Sequence, residues 1–340
     1  MLQTASGRNC NFFGRVPLSR QNSGKKASKY KASSGIKASK PTVLLLGFLL
    51  ILVGVFGILY NPSGSAGAEA SWEVSEAGTL TFPDREEPVF SVQEIEDTYA
   101  PENSDTLKLL SFESRGQKTQ ALLRIPANSS SSPGLVLLPG AGISKEVEQG
   151  LAVELSKMGY ATLTPDQRNL GSINIDRDFE FFKAGLEPLE YTMVYDALKA
   201  SDVLAFQPEV DPERLAILGE SNGGRLAVLA CALNPSLKGV IVISTAGYGT
   251  ENSDSALAND SEAYRFSRSI DPNTYFETLP PAKFVQIHSF NDTVISHDQA
   301  LRTFALAREP KAMYNVTEET HGYTASMRPY LEKELALILK

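Results

Sequence analysis

The hydrophobic and polar positions of the chain follow a regular pattern from residue 104 onward. Two apolar-rich runs, Thr106–Phe112 and Thr119–Ile125, are separated by the polar stretch ESRGQK, and this spacing predicts an antiparallel hairpin. After them, short continuous runs of Val, Leu and Ile alternate with stretches of helical length. Strands without polar alternation are typical of a parallel sheet that helices cover on both faces. The pattern therefore predicts an α/β domain over residues 104–340.

The predicted elements of this domain alternate strand with helix. The strands are Gly134–Leu138, Tyr160–Thr164, Arg214–Leu218, Val240–Ser244, Phe284–His288 and Met313–Val316. The helices are Lys145–Met158, Leu189–Ala205, Gly223–Leu233, Gln299–Arg308 and Ala325–Leu339. Residues 245–279 interrupt the pattern with irregular polar sequence that carries five aromatic residues, and they are a candidate cap. Those aromatic side chains either line a substrate pocket or pack a surface helix.

A different pattern precedes the domain. Residues 43–60 are 18 consecutive uncharged, mostly apolar residues, close to the roughly 20 that a membrane-spanning helix needs. Six lysines lie just before this run, and no Lys or Arg follows it until Arg85, which predicts a cytoplasmic N-terminus. We expect a basic cytoplasmic arm (1–42), a transmembrane signal-anchor (43–60) and an extracytoplasmic domain. A cleaved signal peptide, with secretion, and an organelle transit peptide are the alternatives.

Residues 61–103 are predicted to form an acidic linker or stalk. The segment 69–103 contains ten acidic residues and a single basic one, Arg85. Its short apolar pieces, Thr79–Phe82 and Val89–Val92, predict either edge strands or a solvated spacer.

Charge excludes one class of function. The net charge is -8, but residues 1–68 hold nine basic residues and no acid, so the rest carries 32-9=23 basic against 40 acidic residues, or -17. A nucleic-acid-binding protein needs a basic surface to neutralise phosphates. No nucleic-acid partner is therefore expected.

The strongest candidate for chemistry is Ser221. Residues 219–223, GESNG, match the GxSxG pattern between a predicted buried strand and a predicted helix. In that context Gly219 and Gly223 permit the sharp turn that raises a serine hydroxyl above the edge of the sheet. A structural serine in a tight turn is the alternative interpretation.

A nucleophilic serine needs a base and an acid that orients the base. Of the three histidines, His321 lies in the loop ETHGYT before the last helix and is the preferred base, whereas His288 ends a buried strand and His297 opens a helix. Asp292, in the loop SFNDTVIS, is the preferred acid. Asp298 is more typical of the first turn of a helix.

Backbone amides are expected to stabilise the oxyanion. The candidates are the amide of Asn222 and that of Ala141 or Gly140 in the PGAG turn, because Pro139 has no amide proton. The alternative interpretation is that PGAG is a simple turn that does not contribute to the oxyanion site. Asp166, Gln167 and Arg168 are interpreted as groups that brace a neighbouring loop.

The blocks LVLLPGAG, DQRNLG, GESNGG, SFNDTVIS and HGY resemble the successive motifs of the α/β-hydrolase superfamily, and the compact domain is similar to its dienelactone-hydrolase and prolyl-oligopeptidase-like branch. The resemblance implies a mostly parallel sheet of about eight strands, a triad of Ser221, Asp292 and His321, and acyl transfer through a covalent acyl-enzyme. The chain differs in having Pro139 where many members have His, and in having a serine where dienelactone hydrolases have a cysteine.

The sequence thus predicts a serine hydrolase that cleaves carboxylic esters, with no cofactor or metal and with a small ester or peptide-like substrate. A peptidase or acyl-aminoacyl hydrolase is the first alternative. A catalytically silent, membrane-tethered binding module is the second.

Overall fold

A computed structural model describes residues 72–340 except 84, 86, 128, 251–260 and 319. The described residues belong to one compact unit, Ala68–Lys340. The predicted arm 1–42 and signal-anchor 43–60 lie outside the described residues. Within the described part of the chain, no helix combines the length and apolar character that a membrane span requires.

The described residues form eleven strands. Their bounds are Glu73–Val74 (β1), Leu80–Thr81 (β2), Phe90–Ile95 (β3), Thr106–Ser114 (β4), Gln117–Ile125 (β5), Ser132–Leu138 (β6), Ala161–Pro165 (β7), Val210–Glu220 (β8), Leu237–Ile243 (β9), Lys283–Ser289 (β10) and Lys311–Val316 (β11). All six strands that the apolar runs predict after the hairpin are present, and β8 extends beyond its predicted bounds at both ends.

Seven α-helices accompany these strands over the described ranges. They are Gln149–Lys157 (α1), Ile175–Lys183 (α2), Leu189–Ala205 (α3), Asn222–Leu233 (α4), Ser261–Ile270 (α5), His297–Leu306 (α6) and Arg328–Ile338 (α7). The sequence pattern did not predict α2. That helix is short, and only two of its nine side chains are buried, so its apolar positions are too few to mark it.

Nine strands form the main sheet of the described residues, in the order β11-β10-β9-β8-β6-β7-β5-β4-β3. The six strands from β11 to β7 are parallel neighbours, and β5, β4 and β3 extend the sheet as antiparallel neighbours. The predicted fold class is confirmed, with one strand more than the predicted eight.

The core lies on both faces of this sheet. Leu135 and Leu137 of β6 pack in one cluster with residues of α1 and α7, and Val136 and Leu138 pack in the other with residues of α3 and α4. All four β6 side chains are nearly fully buried. This two-sided burial explains why the strands are continuously apolar.

The predicted stalk contributes an edge strand. β3 pairs antiparallel with β4, from Phe90 opposite Phe112 to Ile95 opposite Leu107, and β2 pairs with β1 in a separate two-stranded ribbon. The predicted boundary at residue 104 therefore falls inside the compact unit. Of the two interpretations offered for Val89–Val92, the edge strand is the one that β3 follows, although most of its side chains are exposed.

An internal ion pair joins the same segment to the sheet. The guanidinium of Arg124 on β5 is fully buried and donates to the carboxylate of Asp97, with an Nη1–Oδ2 distance of 2.5 Å, and to that of Asp105 at 3.2 Å. The residues after β3 are thus held by a buried charge.

The candidate cap 245–279 contains α5 and a 3-10 turn, Pro272–Tyr275. Of its aromatic side chains, Phe266, Tyr275 and Phe276 are at most 2% exposed and belong to the core, while Tyr264 is 37% exposed. The sequence left open whether these aromatic side chains line a substrate pocket or pack against other residues, and the three buried rings pack. Their size makes burial strongly favourable.

Candidate active site

Ser221 occupies a strained turn between β8 and α4. Its φ of 50° and ψ of -117° lie in a region that residues with a side chain rarely adopt. Several hydrogen bonds hold the turn. Among them, the amide of Ser221 donates to the carbonyl of Ile243 at 2.9 Å, and the hydroxyl of Thr245 donates to the carbonyl of Ser221 at 2.9 Å.

The two flanking glycines allow this turn because neither position has room for a side chain. A Cβ at Gly219 would lie 2.3 Å from the carbonyl oxygen of Gly223, and a Cβ at Gly223 would lie 2.3 Å from the carbonyl oxygens of Leu138 and Pro139. Both glycines were predicted to permit the sharp turn. They do so because the backbone of neighbouring residues lies too close for a side chain at either position.

The structure brings the three predicted triad residues together. The Ser221 hydroxyl donates to Nε2 of His321, with 2.9 Å between the heavy atoms. Nδ1–H of His321 donates to the carboxylate of Asp292, with distances of 2.9 Å to Oδ2 and 3.1 Å to Oδ1. Ser221 follows β8, Asp292 follows β10 and His321 follows β11, so all three lie at the carboxyl edge of the parallel strands.

Asp292 is held as a carboxylate. Burial alone would raise the pKa of its carboxyl, but the hydrogen bond from His321 and those from the amides of Ile295 and Val294 outweigh burial, and the pKa lies below its ordinary value. The side chain is fully buried, whereas that of His321 is 24% exposed. This arrangement fixes the imidazole with Nδ1 protonated and Nε2 free to accept a proton.

None of the residues set aside as alternatives forms a hydrogen bond with Ser221 within the described part of the chain, although Nε2 of His288 lies 3.6 Å from Oδ2 of Asp292. His288 is fully buried and its Nε2–H donates to the carbonyl of Ile295 at 2.9 Å; burial, its largest influence, lowers its pKa. His297 contacts the side chain of Asn315. Asp298 lies in the first turn of α6.

Three amides near Ser221 are available to a ligand. Gly140 is close enough that a Cβ there would lie 3.5 Å from the Cβ of Ser221. The amides of Gly140, Ala141 and Asn222 donate to no other described residue, whereas the amide of Gly142 donates to the carbonyl of Leu170 at 2.6 Å. The candidate oxyanion donors are thus those that the structure leaves unpaired within its described part.

The DQRNLG segment braces the loops on either side of Ser221. The side-chain amide of Gln167 donates to the carbonyl of Pro139 at 2.7 Å, and that of Asn222 donates to the carbonyl of Gly171 at 3.0 Å. Arg168 donates to the carboxylate of Asp196 on α3 at 2.7 Å. The predicted bracing role is what these contacts show.

Sequence reasoning missed a pair of acidic residues beside the triad. Glu220 accepts a hydrogen bond from the amide of Tyr323 at 3.0 Å, and Glu148, at the start of α1, is 6% exposed. Burial raises the pKa of Glu148, and the nearby negative charge of Glu220 raises it further. Burial also raises the pKa of Glu220. Nothing in the linear sequence indicates that the two meet.

Among the described residues, no group of three or more His, Cys, Asp or Glu side chains is arranged to hold a metal ion. Cys231 is a free, buried thiol in α4.

Comparisons with known proteins add a family context to this geometry. The model of the acetyl xylan esterase family (AXE1) matches residues 104–245. The uncharacterized protein YfhR of Escherichia coli O157:H7 is 28% identical over 147 residues, which are 42% of this chain and 50% of YfhR. The chain thus spans about half the length of the curated relatives it matches.

Solved structures share the fold at low sequence identity. The acetyl xylan esterase of Paenibacillus sp. R4 superposes with a TM-score of 0.60 at 18% identity, over 74% of this chain and 89% of that one. A glucuronoyl esterase of Solibacter usitatus gives a TM-score of 0.55 at 14% identity, over 78% and 89%. These similarities confirm the predicted fold. The match of residues 104–245 to the acetyl xylan esterase family model supports the predicted superfamily and the predicted serine hydrolase class.

Proposed function

We propose that this protein is a serine carboxylesterase that removes short acyl groups, such as acetyl, from the hydroxyl groups of a saccharide or another small alcohol. The observation that carries the proposal is the chain of hydrogen bonds from Ser221 through His321 to Asp292, beside three amides that donate to no described residue. The family similarity over residues 104–245 supports an acetyl ester as substrate.

Acylation begins with transfer of the Ser221 proton to Nε2 of His321. The Ser221 oxygen forms a bond to the carbonyl carbon of the ester, and the carbonyl π electrons move to the oxygen, whose charge the amides of Asn222 and of Gly140 or Ala141 stabilise. The carbon–oxygen bond to the alcohol then breaks, and His321 returns its proton to the departing alkoxide. The products of this half are the free alcohol and an acyl-Ser221 ester.

Deacylation reverses these roles with water as the nucleophile. His321 takes a proton from water, the hydroxide oxygen bonds to the acyl carbon, and the bond from that carbon to Ser221 breaks as Ser221 regains its proton. Asp292 stays ionised throughout and stabilises the imidazolium in both halves. No step requires a group other than these residues and water.

The proposal is tested with purified protein on a panel of an aryl acetate, an aryl butyrate, acetylated xylooligosaccharides and a peptidyl anilide. We expect kcat/KM to be highest for the acetates, and Ser221→Ala to lower it by about 10³-fold or more. Ser236→Ala, at an exposed loop serine, is the matched control and should leave the rate unchanged.

Two outcomes would contradict the proposed function. Preferential cleavage of the anilide would favour the peptidase alternative. Absence of turnover together with absence of labelling by a fluorophosphonate probe would favour the silent binding module, because such probes react only with an activated serine.

The membrane anchor stays part of the proposal. The Lys-rich arm and the apolar run 43–60 support a domain that is tethered on the extracytoplasmic side. The full-length chain should remain with membranes after alkaline carbonate extraction, and a chain lacking residues 43–60 should not. Release of the full-length chain by carbonate would contradict the anchor.

A further inference from the structure

Glu220 joins the strand that carries the nucleophile to the segment His321–Tyr323, which we call the histidine loop. Its Oε1 accepts the amide proton of Tyr323 at 3.0 Å. Its Oε2 lies so close to Gly322 that a Cβ there would be 3.1 Å away. The amide of Gly322 donates to the hydroxyl of Ser244 at 2.9 Å. Both amides that follow His321 are therefore held by side chains at the ends of β8 and β9.

This attachment matters because the backbone amide of His321 itself donates to no described residue. The side chain of His321 contacts both Ser221 and Asp292. The two hydrogen-bond distances depend on where the backbone of the histidine loop lies. A displacement of about 1 Å at a reacting group is enough to lower a rate on the order of 10²-fold. Glu220 directly precedes Ser221 in the chain. Its contact with the histidine loop therefore links the backbone of the base to the backbone of the nucleophile.

Glu148 lies at the start of α1, near enough to Glu220 for the two carboxyl groups to interact electrostatically. Its Oε1 is buried and has no hydrogen-bond partner among the described residues, and the charge that acts on it is that of Glu220. Tyr323, whose amide donates to Glu220, has a phenol whose pKa is raised by burial, and the charges of Glu154, Arg328 and Glu332 also act on it. Among the described residues, neither Glu148 nor Glu220 forms an ion pair with a Lys, Arg or His side chain.

We propose that Glu220 is a positioning residue for His321, and that Glu148 controls it through the charge the two carboxyl groups share. The inference rests on the proposed function, since it concerns the base of that reaction. It assigns to Glu220 no contact with substrate. It predicts instead that the geometry of the Ser221–His321 pair depends on the acceptor at Oε1 of Glu220.

The charge state of the pair follows from burial. With the pKa of both carboxyl groups raised, the pair retains a proton near neutral pH. Loss of that proton at alkaline pH leaves two negative charges close together in a site with little water. We expect their repulsion to displace Glu220 from the position in which it accepts the Tyr323 amide proton, so catalysis should weaken as the pair ionises.

Three variants and a control test this role. Glu220→Ala removes the acceptor for the Tyr323 amide, and we expect kcat for an aryl acetate to fall about 10²-fold with little change in KM. Glu220→Gln keeps an oxygen at Oε1 and offers an N–H to Glu148, so its kcat at pH 7 should stay within about threefold of wild type. Glu213→Gln, at an exposed position of the same strand, is the control and should match wild type.

The pH profile separates positioning from simple stabilisation. Wild type should lose kcat at alkaline pH, and Glu148→Gln should remove that alkaline loss because Glu220 then ionises beside a neutral amide. Glu220→Gln should remove it as well. Superimposable profiles of wild type and Glu148→Gln would overturn the proposal.

A spectroscopic measurement distinguishes failure of this inference from failure of the proposed function. The proton between Nδ1 of His321 and Asp292 gives a downfield ¹H resonance, whose position and exchange rate report the triad geometry without any substrate. Glu220→Ala should shift or broaden it. A shift in protein that hydrolyses no ester would leave the inference standing and refute the esterase, whereas a wild-type resonance and a wild-type kcat would overturn the inference.

Should Glu220→Ala fail to fold, Glu220→Asp takes its place. It keeps a carboxyl group at this position but withdraws the oxygen from Tyr323 by one methylene, so we expect the same loss of kcat. Retention of the full wild-type kcat in this variant would also overturn the proposal.

Discussion

Nε2 of His321 lies 2.9 Å from Oγ of Ser221, although the two residues are 100 positions apart in the chain. The contact exists because β8 and β11 are parallel strands of one sheet and their carboxyl ends meet at the same edge. The φ of 50° at Ser221 then turns its hydroxyl out of the strand and towards the imidazole. This hydrogen bond therefore depends both on the strained backbone at Ser221 and on the position of the loop that carries His321.

Asp292→Asn tests the third member of this arrangement. The amide can still accept hydrogen bonds from the amides of Val294 and Ile295, but it cannot stabilise a positively charged imidazole. We expect kcat to fall by about 10³-fold or more while KM changes little. Asp298→Asn, in the first turn of α6, is the control and should retain wild-type kcat. Equal losses in both variants would contradict the assignment.

Gly223→Ala tests the close approach at the turn. Its Cβ would lie 2.3 Å from two backbone carbonyl oxygens, and backbone cannot yield as a flexible side chain can. The free energy of unfolding should fall by more than about 3 kcal/mol, measured by urea denaturation. Gly150→Ala offers the comparison, because nothing lies within 4 Å of a Cβ there and a helical alanine should stabilise by up to about 1 kcal/mol. A tolerated Gly223→Ala would show that the turn is not as tight as described.

Asp97→Ala tests whether the segment before residue 104 is part of the folded unit. The change leaves the fully buried guanidinium of Arg124 without one of its two carboxylates. Breaking such a buried pair should lower the free energy of unfolding by about 3 kcal/mol. Glu94→Ala, at an exposed position of β3, should change it by less than about 0.5 kcal/mol. Equal stabilities of the two variants would place Asp97 outside the cooperative unit.

Glu190 gives the protein a pH-dependent stability. Its carboxyl group is fully buried, neither oxygen has a partner among the described residues, and burial raises its pKa to about 8. Because this pKa exceeds the unfolded value of about 4.3, the favourable contribution is complete below that value and is lost as the pH rises towards 8. The Tm of wild type should therefore fall between pH 5 and pH 8.

Glu190→Gln should flatten that pH dependence, since an amide does not ionise. The measurement is the slope of Tm against pH, which a constant effect of the substitution on packing does not alter. Glu180→Gln, at an exposed residue of α2 that pairs with Lys183, should keep the wild-type slope. An unchanged slope in Glu190→Gln would show that this carboxyl group does not titrate in the predicted range.

Part of this protein could be derived from its sequence alone. Continuous Val, Leu and Ile runs between helical stretches determine a covered parallel sheet, because only a strand buried on both faces is apolar at every position. The glycines around Ser221 determine the sharp turn for a similar reason, since only glycine fits where backbone meets backbone. The order serine, acid, histidine then limited the triad to very few residues. The signal-anchor at 43–60 is also a property of the linear pattern, and it stays a prediction because it lies outside the described residues.

The tertiary structure decided everything that depends on which loops meet. The apolar piece Val89–Val92 left an edge strand and a solvated spacer open as alternatives, because β3 is mostly exposed, and its place in the sheet depends on pairing with β4 and on the ion pair of Asp97 with Arg124. Glu148 and Glu220 are 72 positions apart by number and look like ordinary surface acids in the sequence. Their burial, and the contact of Glu220 with the histidine loop, arise only when the ends of the strands are assembled at one edge. Burial and long-range electrostatics are properties of that assembly, so no local pattern of residues encodes them.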